Sequence, residues 1–168
     1  MKVYRFLDSK PLISPKAKIH STAVVIGDVE IDEYVSVWPY AVIRGDVDKI
    51  KIAKNSNIQD LVVIHPNKNR PVIIGEGVTV GHSAVVHGSI VGNNCLIGMN
   101  ATIIDCEIGD NSLVAAGCVV IPQTKIPPCS LVAGVPGKVI KNLDERYVEE
   151  IKKSADEYLR LFQMYEEF

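Results

Sequence analysis

Three of the four histidines of this 168-residue chain, His65, His82 and His87, lie close together in the sequence. A neutral imidazole is a common zinc ligand, and three imidazoles leave a fourth position on zinc open for water. Such a site lowers the pKa of that water towards about 7 and makes a metal-bound hydroxide nucleophile. The three histidines are therefore the candidate metal ligands, whereas the fourth, His20, is predicted to be an ordinary surface residue.

Whether these histidines can meet depends on a repeat that runs through most of the chain. Aliphatic residues recur at steps of six, which does not match the 3.6-residue helical period, and Gly, Asn, Asp and Pro punctuate them. Short strands joined by tight turns are predicted, stacked so that neighbouring units bury a shared core. Three units would close one triangular coil, so nineteen units give about six coils of an all-β solenoid, a parallel β-helix. The first positions are Ile19, Val25, Ile31, Val37, Ile43, Ile52, Ile58, Ile64, Ile74, Val80, Val86, Val91, Ile97, Ile103, Ile108, Val114, Val120, Ile126 and Val132.

A second inward position follows four residues after most first positions, and the residues there are small or β-branched. The step between first positions lengthens to nine after Ile43 and to ten after Ile64, where residues 66–71 must form a loop outside the coil. These adjustments leave the order of the three faces unchanged. The second inward positions are Ala23, Val29, Val35, Ala41, Val47, Ser56, Val62, Val78, Ala84, Cys95, Ala101, Ser112, Cys118 and Thr124.

The order of the faces decides which histidines are neighbours. His65 and His87 each follow a first position, and three units separate them, so they share one face, one coil apart. Strands in such a stack lie about 4.8 Å apart, and two imidazoles at that separation can share one metal with bonds of about 2.0–2.1 Å. His82 belongs to the preceding face, around a corner. The third ligand is therefore predicted to come from His82 of a neighbouring subunit, in a homotrimer with C₃ symmetry.

The same count of units along the repeat places four more polar residues near the three histidines, in one band around the solenoid. Arg44 is predicted on the face of the paired histidines, one coil below, whereas Gln59 and Asp60 lie on the face of His82. Gln59 could orient the hydroxide or a substrate oxygen. Arg44 could form an ion pair with Asp46 or Asp60 that holds the subunits together, or could accept the negative charge of a substrate. A purely structural salt bridge between subunits explains Arg44 and Asp46 equally well.

The chain is predicted to have three segments. Residues 1–12 are an N-terminal arm or strand, residues 13–140 the β-helix domain, and residues 141–168 a C-terminal amphipathic α-helix. The helix should begin near Asn142, because Glu145 three residues later resembles a capping box, and it should lie against the prism or a neighbouring subunit. Its apolar residues follow at helical spacing and are Tyr147, Val148, Ile151, Ala155, Tyr158, Leu159 and Phe162.

Composition narrows the class of protein. The chain is 47% hydrophobic, which supports one domain with a sizeable core, and its net charge is only −2 without a basic stripe, which argues against nucleic acid as a partner. No apolar run approaches the roughly 20 residues that span a bilayer, and the opening residues lack the apolar core of a signal peptide. The four cysteines have no CxxC spacing, which favours free thiols. A cytoplasmic protein that does not associate with membranes is predicted.

Several motifs stand out on the repeat. They are Arg44-Gly45-Asp46, Asn57-Ile58-Gln59-Asp60, His65 and Val78-Thr79-Val80-Gly81-His82-Ser83-Ala84-Val85-Val86-His87-Gly88, followed by residues 96–101 and 114–117. Together they resemble the gamma-class carbonic anhydrase family over roughly residues 10–145. The resemblance implies a left-handed β-helix homotrimer that holds zinc, or in some members iron or cobalt, between two histidines of one chain and one of the next.

The resemblance also implies roles for single residues. It makes metal ligands of His65, His82 and His87. It places Gln59 beside the metal-bound hydroxide and assigns Arg44, with Asp46 or Asp60, to the interface and active site. The implied reaction is that of a lyase, the reversible hydration of CO₂ to bicarbonate, after which a proton must be exported.

Proton export is the point at which this sequence departs from the best characterised branch of the family, whose acidic loop carries a shuttle glutamate. Here the loop of residues 66–71 contains Lys68 and Arg70 but no carboxylate. The chain therefore resembles the shorter, loopless branch, in which anhydrase activity varies. Two other functions stay open. One is an acyl-CoA-dependent acyltransferase or thioesterase, since residues 134–140 resemble the last coil of hexapeptide acyltransferases, and the other is a non-catalytic, metal-bearing trimeric scaffold.

Overall fold

The computed structural model describes residues 2–165, which form a parallel β-solenoid of about seven turns followed by one α-helix. The strands belong to a 12-stranded sheet and an 8-stranded sheet. The larger sheet covers two faces of the solenoid, because Val24–Ile31 and Val42–Ile52 each pass around a corner as one strand. The predicted parallel β-solenoid with a C-terminal helix is confirmed.

We number the three faces in the order in which the chain passes through them in each turn. The two long strands, Val24–Ile31 and Val42–Ile52, each run through both the first face and the second face. The other strands of the first face are Lys2–Tyr4, Val63–His65, Val85–His87, Thr102–Ile104 and Val119–Val120. Those of the second face are Leu12–Ile13, Val72–Ile74, Ile90–Val91, Glu107–Ile108 and Lys125–Ile126. The third face contains Lys18–Ile19, Ser36–Val37, Asn57–Ile58, Thr79–Val80, Leu96–Ile97, Leu113–Val114 and Ser130–Ala133, and the antiparallel strand Lys138–Asn142 closes it.

Strand pairing follows the predicted register. On the first face, for example, Ile43 pairs with Ile64, and Ile64 pairs with Val86. All of the predicted first positions are buried, because their side chains point into the core that the stacked turns share. The prediction of about six coils was one too few, since Lys2–Tyr4 and Leu12–Ile13 pair with the next turn and form an additional one.

The nine-residue step after Ile43 was misread in one respect. Val47 was predicted to point inward, but its side chain is 49% exposed. Extra residues in the strand Val42–Ile52 shift the register there, so that Val29 pairs with Ile50, and Ile50 is fully buried in place of Val47. Thr124, also predicted to point inward, is half-buried.

The ten-residue step forms the predicted loop. Asn67 and Arg70 exchange backbone hydrogen bonds of 3.0 and 2.9 Å and close a tight turn between them. The turn projects from the corner that follows His65, so the loop stands directly beside the histidines of the first face.

The C-terminal helix, α1, spans Glu145–Met164. Its N-cap is Asp144, whose side chain accepts a 3.1 Å hydrogen bond from the backbone N–H of Tyr147. The cap lies two residues beyond the expected Asn142, because Lys138–Asn142 is held in an extended conformation by its pairing with the preceding strand.

Helix α1 packs on the third face of its own chain. Its buried side chains are Ile151, Ala155 and Phe162. The ring of Tyr158 meets Trp38 of the third face edge to face, with centroids 5.3 Å apart, and Lys18 donates a 2.8 Å hydrogen bond to the carbonyl of Phe162. Within residues 2–165, no helix is both long and apolar enough to cross a membrane.

The exposure of Val47 gives a direct test of the register. Replacing Ile50, fully buried in the same strand, by alanine leaves a cavity and should lower the free energy of unfolding by about 2–5 kcal/mol. Val47→Ala, on the solvent side, should change it by no more than about 0.5 kcal/mol. Urea unfolding of the two variants at one protein concentration measures both effects, and equal losses would contradict this assignment of core and surface.

Candidate metal centre

The first face brings His65 and His87 together. They are direct partners in the pairing of Val63–His65 with Val85–His87, and both rings point outward because the residues before them, Ile64 and Val86, point into the core. His65 Nδ1 lies 3.3 Å from His87 Nε2, and the ring centroids are 5.3 Å apart.

This pair has the spacing that a metal ion requires. Two nitrogens bound to a tetrahedral zinc ion with bonds of about 2.0–2.1 Å lie about 3.3–3.4 Å apart. His65 Nδ1 and His87 Nε2 are already separated by 3.3 Å. The two imidazoles therefore fit as two ligands of one ion without rearrangement of the backbone.

Asp46 selects the tautomer of His65. Its Oδ1 lies 3.0 Å from His65 Nε2, and a carboxylate only accepts hydrogen bonds, so Nε2 carries the proton and Nδ1 has the free lone pair. Arg44 donates to the other oxygen of Asp46 within the same chain. Burial alone would raise the pKa of Asp46, but the hydrogen bonds from Arg44 and His65 hold it below its usual value, so the carboxylate is ionised at neutral pH.

His87 has a different neighbour. Its Nδ1 faces Asp105 Oδ1 at 3.8 Å, which is too long for a hydrogen bond. Both atoms are buried, and neither has a hydrogen-bond partner in the described part of the chain. Sequence reasoning missed Asp105, although the register contains the signal. Asp105 directly follows Ile104, the strand partner of His87.

His82 lies around the corner that leads from the third face to the first. Its Nδ1 is 2.8 Å from Asp60 Oδ2, and its Nε2 is 3.3 Å from the hydroxyl of Tyr158 on α1. The Asp60 carboxylate only accepts hydrogen bonds, so the imidazole proton is on Nδ1 and Nε2 has the free lone pair. The Tyr158 hydroxyl therefore donates to Nε2. Burial and, less strongly, the charge of Asp60 raise the pKa of Tyr158, which favours the protonated hydroxyl.

The single chain does not bring the three histidines together. His82 is bound to Asp60 and Tyr158 rather than to the paired histidines. Among residues 2–165 there is no group of three His, Cys, Asp or Glu side chains that could hold a metal ion. The predicted residues therefore form two groups on one band, with Arg44, Asp46, His65 and His87 on the first face and Gln59, Asp60 and His82 at the corner.

Gln59 supports this corner from below. Its side chain is 4% exposed, its Nε2 donates to Asn57 Oδ1 at 3.1 Å, and its Oε1 accepts a 3.1 Å bond from the backbone N–H of His82. Asn57 in turn donates to Thr79 Oγ1 at 2.9 Å. This chain of bonds ties two turns together beneath His82 and fixes the position of its backbone.

A cleft of about 420 Å³ opens beside His82, between α1 and the corner. His20 lines this cleft together with Trp38 and Asp60. The His20 side chain is half-buried, and its Nδ1 lies 2.8 Å from Thr22 Oγ1. His20 is therefore less exposed than an ordinary surface residue, although it lies apart from the paired histidines.

Comparison with known proteins places this chain in a family. A protein of Methanocaldococcus jannaschii named "Probable carbonic anhydrase" is 48% identical over 158 residues, which cover 94% of this chain and 99% of that protein. The protein of Arabidopsis thaliana named "Gamma carbonic anhydrase 2, mitochondrial" is 37% identical over 94% of this chain and 59% of its own length. This chain belongs to the gamma-class carbonic anhydrase family.

The repeat and the fold of this gamma-class member agree with that assignment. A family model described as "Hexapeptide repeat of succinyl-transferase" matches residues 71–104 and 88–122. A crystal structure of a hexapeptide transferase family protein from Anaplasma phagocytophilum is 33% identical, with a TM-score of 0.93 and 98% of both chains covered. The solenoid is therefore shared with proteins named as transferases.

The contacts of Gln59 generate a prediction about stability in this family member. Gln59→Ala leaves the His82 N–H and the Asn57 carbonyl oxygen without their partner, so the free energy of unfolding should fall by about 1–3 kcal/mol. Gln163→Ala, an exposed change of the same type in α1, serves as the control and should have an effect within about 0.5 kcal/mol. Urea unfolding measures both variants, and a Gln59→Ala protein as stable as the wild type would disprove the supporting role.

Proposed function

We propose that this protein catalyses the reversible hydration of CO₂ to bicarbonate, as a metal-dependent lyase. The ligands would be His65 and His87 of one chain and His82 of the next chain in a C₃ homotrimer, with zinc as the metal and iron or cobalt as the alternatives. The observation that carries the proposal is the 3.3 Å separation of His65 Nδ1 and His87 Nε2, in a chain whose relatives are named carbonic anhydrases.

The third ligand is assigned to a neighbouring chain because of where His82 lies. It stands at a corner, 42% exposed, with its Nε2 turned to the cleft rather than to the first face. Around it, Tyr40, Leu61 and Val63 are 62%, 56% and 39% exposed. Exposed apolar side chains that cluster on a surface favour burial against another protein surface. Packing the first face of one chain against this corner of the next would cover it and bring His82 to the paired histidines.

The set of three histidine ligands determines the chemistry that a bound metal ion would supply. A Zn²⁺ ion held by three neutral imidazoles keeps one position open and lowers the pKa of a water molecule there towards about 7. The chain defines the tautomers of two of these imidazoles, because Asp46 accepts a hydrogen bond from His65 Nε2 and Asp60 accepts one from His82 Nδ1.

The remaining residues act on the substrate and its product. Gln59 carries two amide hydrogens, so that it can donate one to Asn57 and offer the other to an oxygen of the reacting group. Arg44 is 43% exposed while still paired with Asp46, and its guanidinium can receive the negative charge of bicarbonate. Asp46 and Asp60 hold the histidines rather than contact the substrate.

Proton export is left to water and buffer in this proposal. The turn next to the site carries Lys68 and Arg70 without a carboxylate, and Val47 is the apolar side chain that the strand exposes near Asp46. A protein built in this way should depend on external proton acceptors more than one with a shuttle glutamate does.

CO₂ hydration tests the proposal directly. Stopped-flow measurement on the zinc-loaded protein should give a rate above background that rises with the concentration of an imidazole buffer. Removal of the metal with a chelator should abolish that rate, because the histidines alone do not activate water at neutral pH, and addition of Zn²⁺ should restore it.

Two results would contradict the anhydrase function, each in favour of a different alternative. A fully metal-loaded trimer without turnover at any buffer concentration would favour a metal-bearing scaffold. Acyl-CoA binding by calorimetry that is unchanged by metal removal, again without CO₂ turnover, would favour an acyltransferase or thioesterase.

Mixed trimers test the sharing of ligands between chains. His65→Ala and His82→Ala proteins should each bind no metal as homotrimers. Mixed trimers should regain one site, because a C₃ ring of two chain types contains a single junction at which an intact His65 meets an intact His82. Metal analysis of mixed trimers separated by different affinity tags measures the stoichiometry, and no recovery on mixing would mean that the ligands do not come from two chains.

A further inference from the structure

Asp105 and His87 present an anomaly beside the metal centre. His87 Nδ1 and Asp105 Oδ1 are both buried, lie 3.8 Å apart, and have no hydrogen-bond partner within residues 2–165. Buried polar atoms in native proteins are nearly always hydrogen-bonded, so two facing each other without a bond require an explanation.

Counting protons on the paired histidines supplies that explanation. Asp46 holds the proton of His65 on Nε2, so His65 Nδ1 can only accept. A hydrogen bond across the 3.3 Å gap then needs the proton of His87 on its Nε2. A neutral imidazole carries one such proton, so His87 Nδ1 is left as an acceptor facing a carboxylate. Two acceptors repel each other, and both remain unpaired.

Metal binding would reverse this arrangement. A metal on His87 Nε2 requires the lone pair of that nitrogen, so the proton must move to Nδ1, where it faces Asp105 Oδ1. We propose that Asp105 is the positioning residue for His87, accepting its Nδ1–H when the metal is bound. This inference rests on the proposed function, because it takes His65 and His87 as ligands. The Nδ1 and Oδ1 atoms need to approach by about 1 Å to reach the length of a charge-assisted bond.

Three parts of the chain hold Asp105 in position. The backbone N–H of Asp105 donates a 2.8 Å bond to the carbonyl of His87, which anchors the residue one turn above. The carboxylate passes over Gly88, where a Cβ atom would collide with Oδ1. From the loop, Asn67 Nδ2 donates a 3.2 Å bond to Oδ2, and Arg70 donates a 3.3 Å bond to the Asp105 carbonyl. One carboxylate oxygen is thus tethered, and the other is left facing His87.

With Asp105 included, each candidate ligand has its own carboxylate. Asp46 lies behind Nε2 of His65, Asp60 lies behind Nδ1 of His82, and Asp105 lies behind Nδ1 of His87. In all three, the carboxylate is next to the ring nitrogen that would not bind the metal. Such partners fix the tautomer and orientation of a ligating histidine.

Zn²⁺ affinity tests the assignment without any measurement of activity. In competition with a chromophoric chelator, Asp105→Ala trimers should bind Zn²⁺ about 10–100-fold more weakly than the wild type, as expected for loss of a partner of a ligating histidine. Asp105→Asn keeps an acceptor oxygen of the same shape, so its loss should be smaller than that of Asp105→Ala. The asparagine variant also keeps the test decisive if the alanine variant does not fold.

A spectroscopic measurement separates positioning from general support. In the Co²⁺-loaded trimer, the Nδ1–H of His87 should give a paramagnetically shifted proton resonance that exchanges slowly with water, because Asp105 accepts it. In Asp105→Ala that resonance should exchange rapidly. Asp156→Ala is the matched control, since it removes an exposed carboxylate of α1 by the same substitution, and it should keep both the wild-type affinity and slow exchange.

The outcomes distinguish this inference from the function on which it rests. A wild-type protein that binds no Zn²⁺ or Co²⁺ would overturn both. A wild-type protein that binds metal, with Asp105→Ala unchanged in affinity and exchange, would overturn the role of Asp105 alone. An Asp156→Ala variant that loses as much affinity as Asp105→Ala would also overturn it, because the loss of negative charge and not the contact with His87 would then be responsible.

Discussion

The vertical register of the coil is the constraint on which the site depends. The strands are held in register by backbone hydrogen bonds between neighbouring turns, such as the 3.0 Å bond from Val63 N to the carbonyl of Ala84. These bonds place His65 directly against His87. Because side chains alternate between the two sides of a strand, a slip by one residue would turn both imidazoles into the core and bring Ile64 and Val86 to the surface.

Much of the fold could be predicted because a six-residue period leaves little choice of register. The aliphatic first positions are all buried, and the faces follow in the expected order in spite of changes of step. Prediction failed where the period is broken. Val47 satisfies the spacing, but the extra residues of its strand give the inward position to Ile50. The placement of Asn142 failed for another reason, since a capping pattern does not reveal that the preceding strand continues through it.

The candidate site also contains residues whose positions could be predicted from the sequence and contacts that could not. His65, His87, Arg44 and Asp60 lie where counting along the repeat puts them, since their positions depend on backbone register alone. The contact of Asp105 with His87 was missed, although the register places Asp105 one turn above His87. The contact of Tyr158 could not be predicted, because it depends on where α1 docks. The repeat carries no information about docking of the helix. Only the packing of Tyr158 against Trp38 brings the phenol to His82.

The hydrogen bond from the Tyr158 hydroxyl to His82 Nε2 makes the helix a competitor for that lone pair. Any ion that takes the nitrogen must first displace the phenol, so the free energies of ion capture and of this helix contact oppose each other. By thermodynamic reciprocity, loosening α1 from the third face would strengthen capture by the same factor by which capture loosens α1. The docking of the 20-residue helix α1 therefore controls how readily His82 can bind an ion.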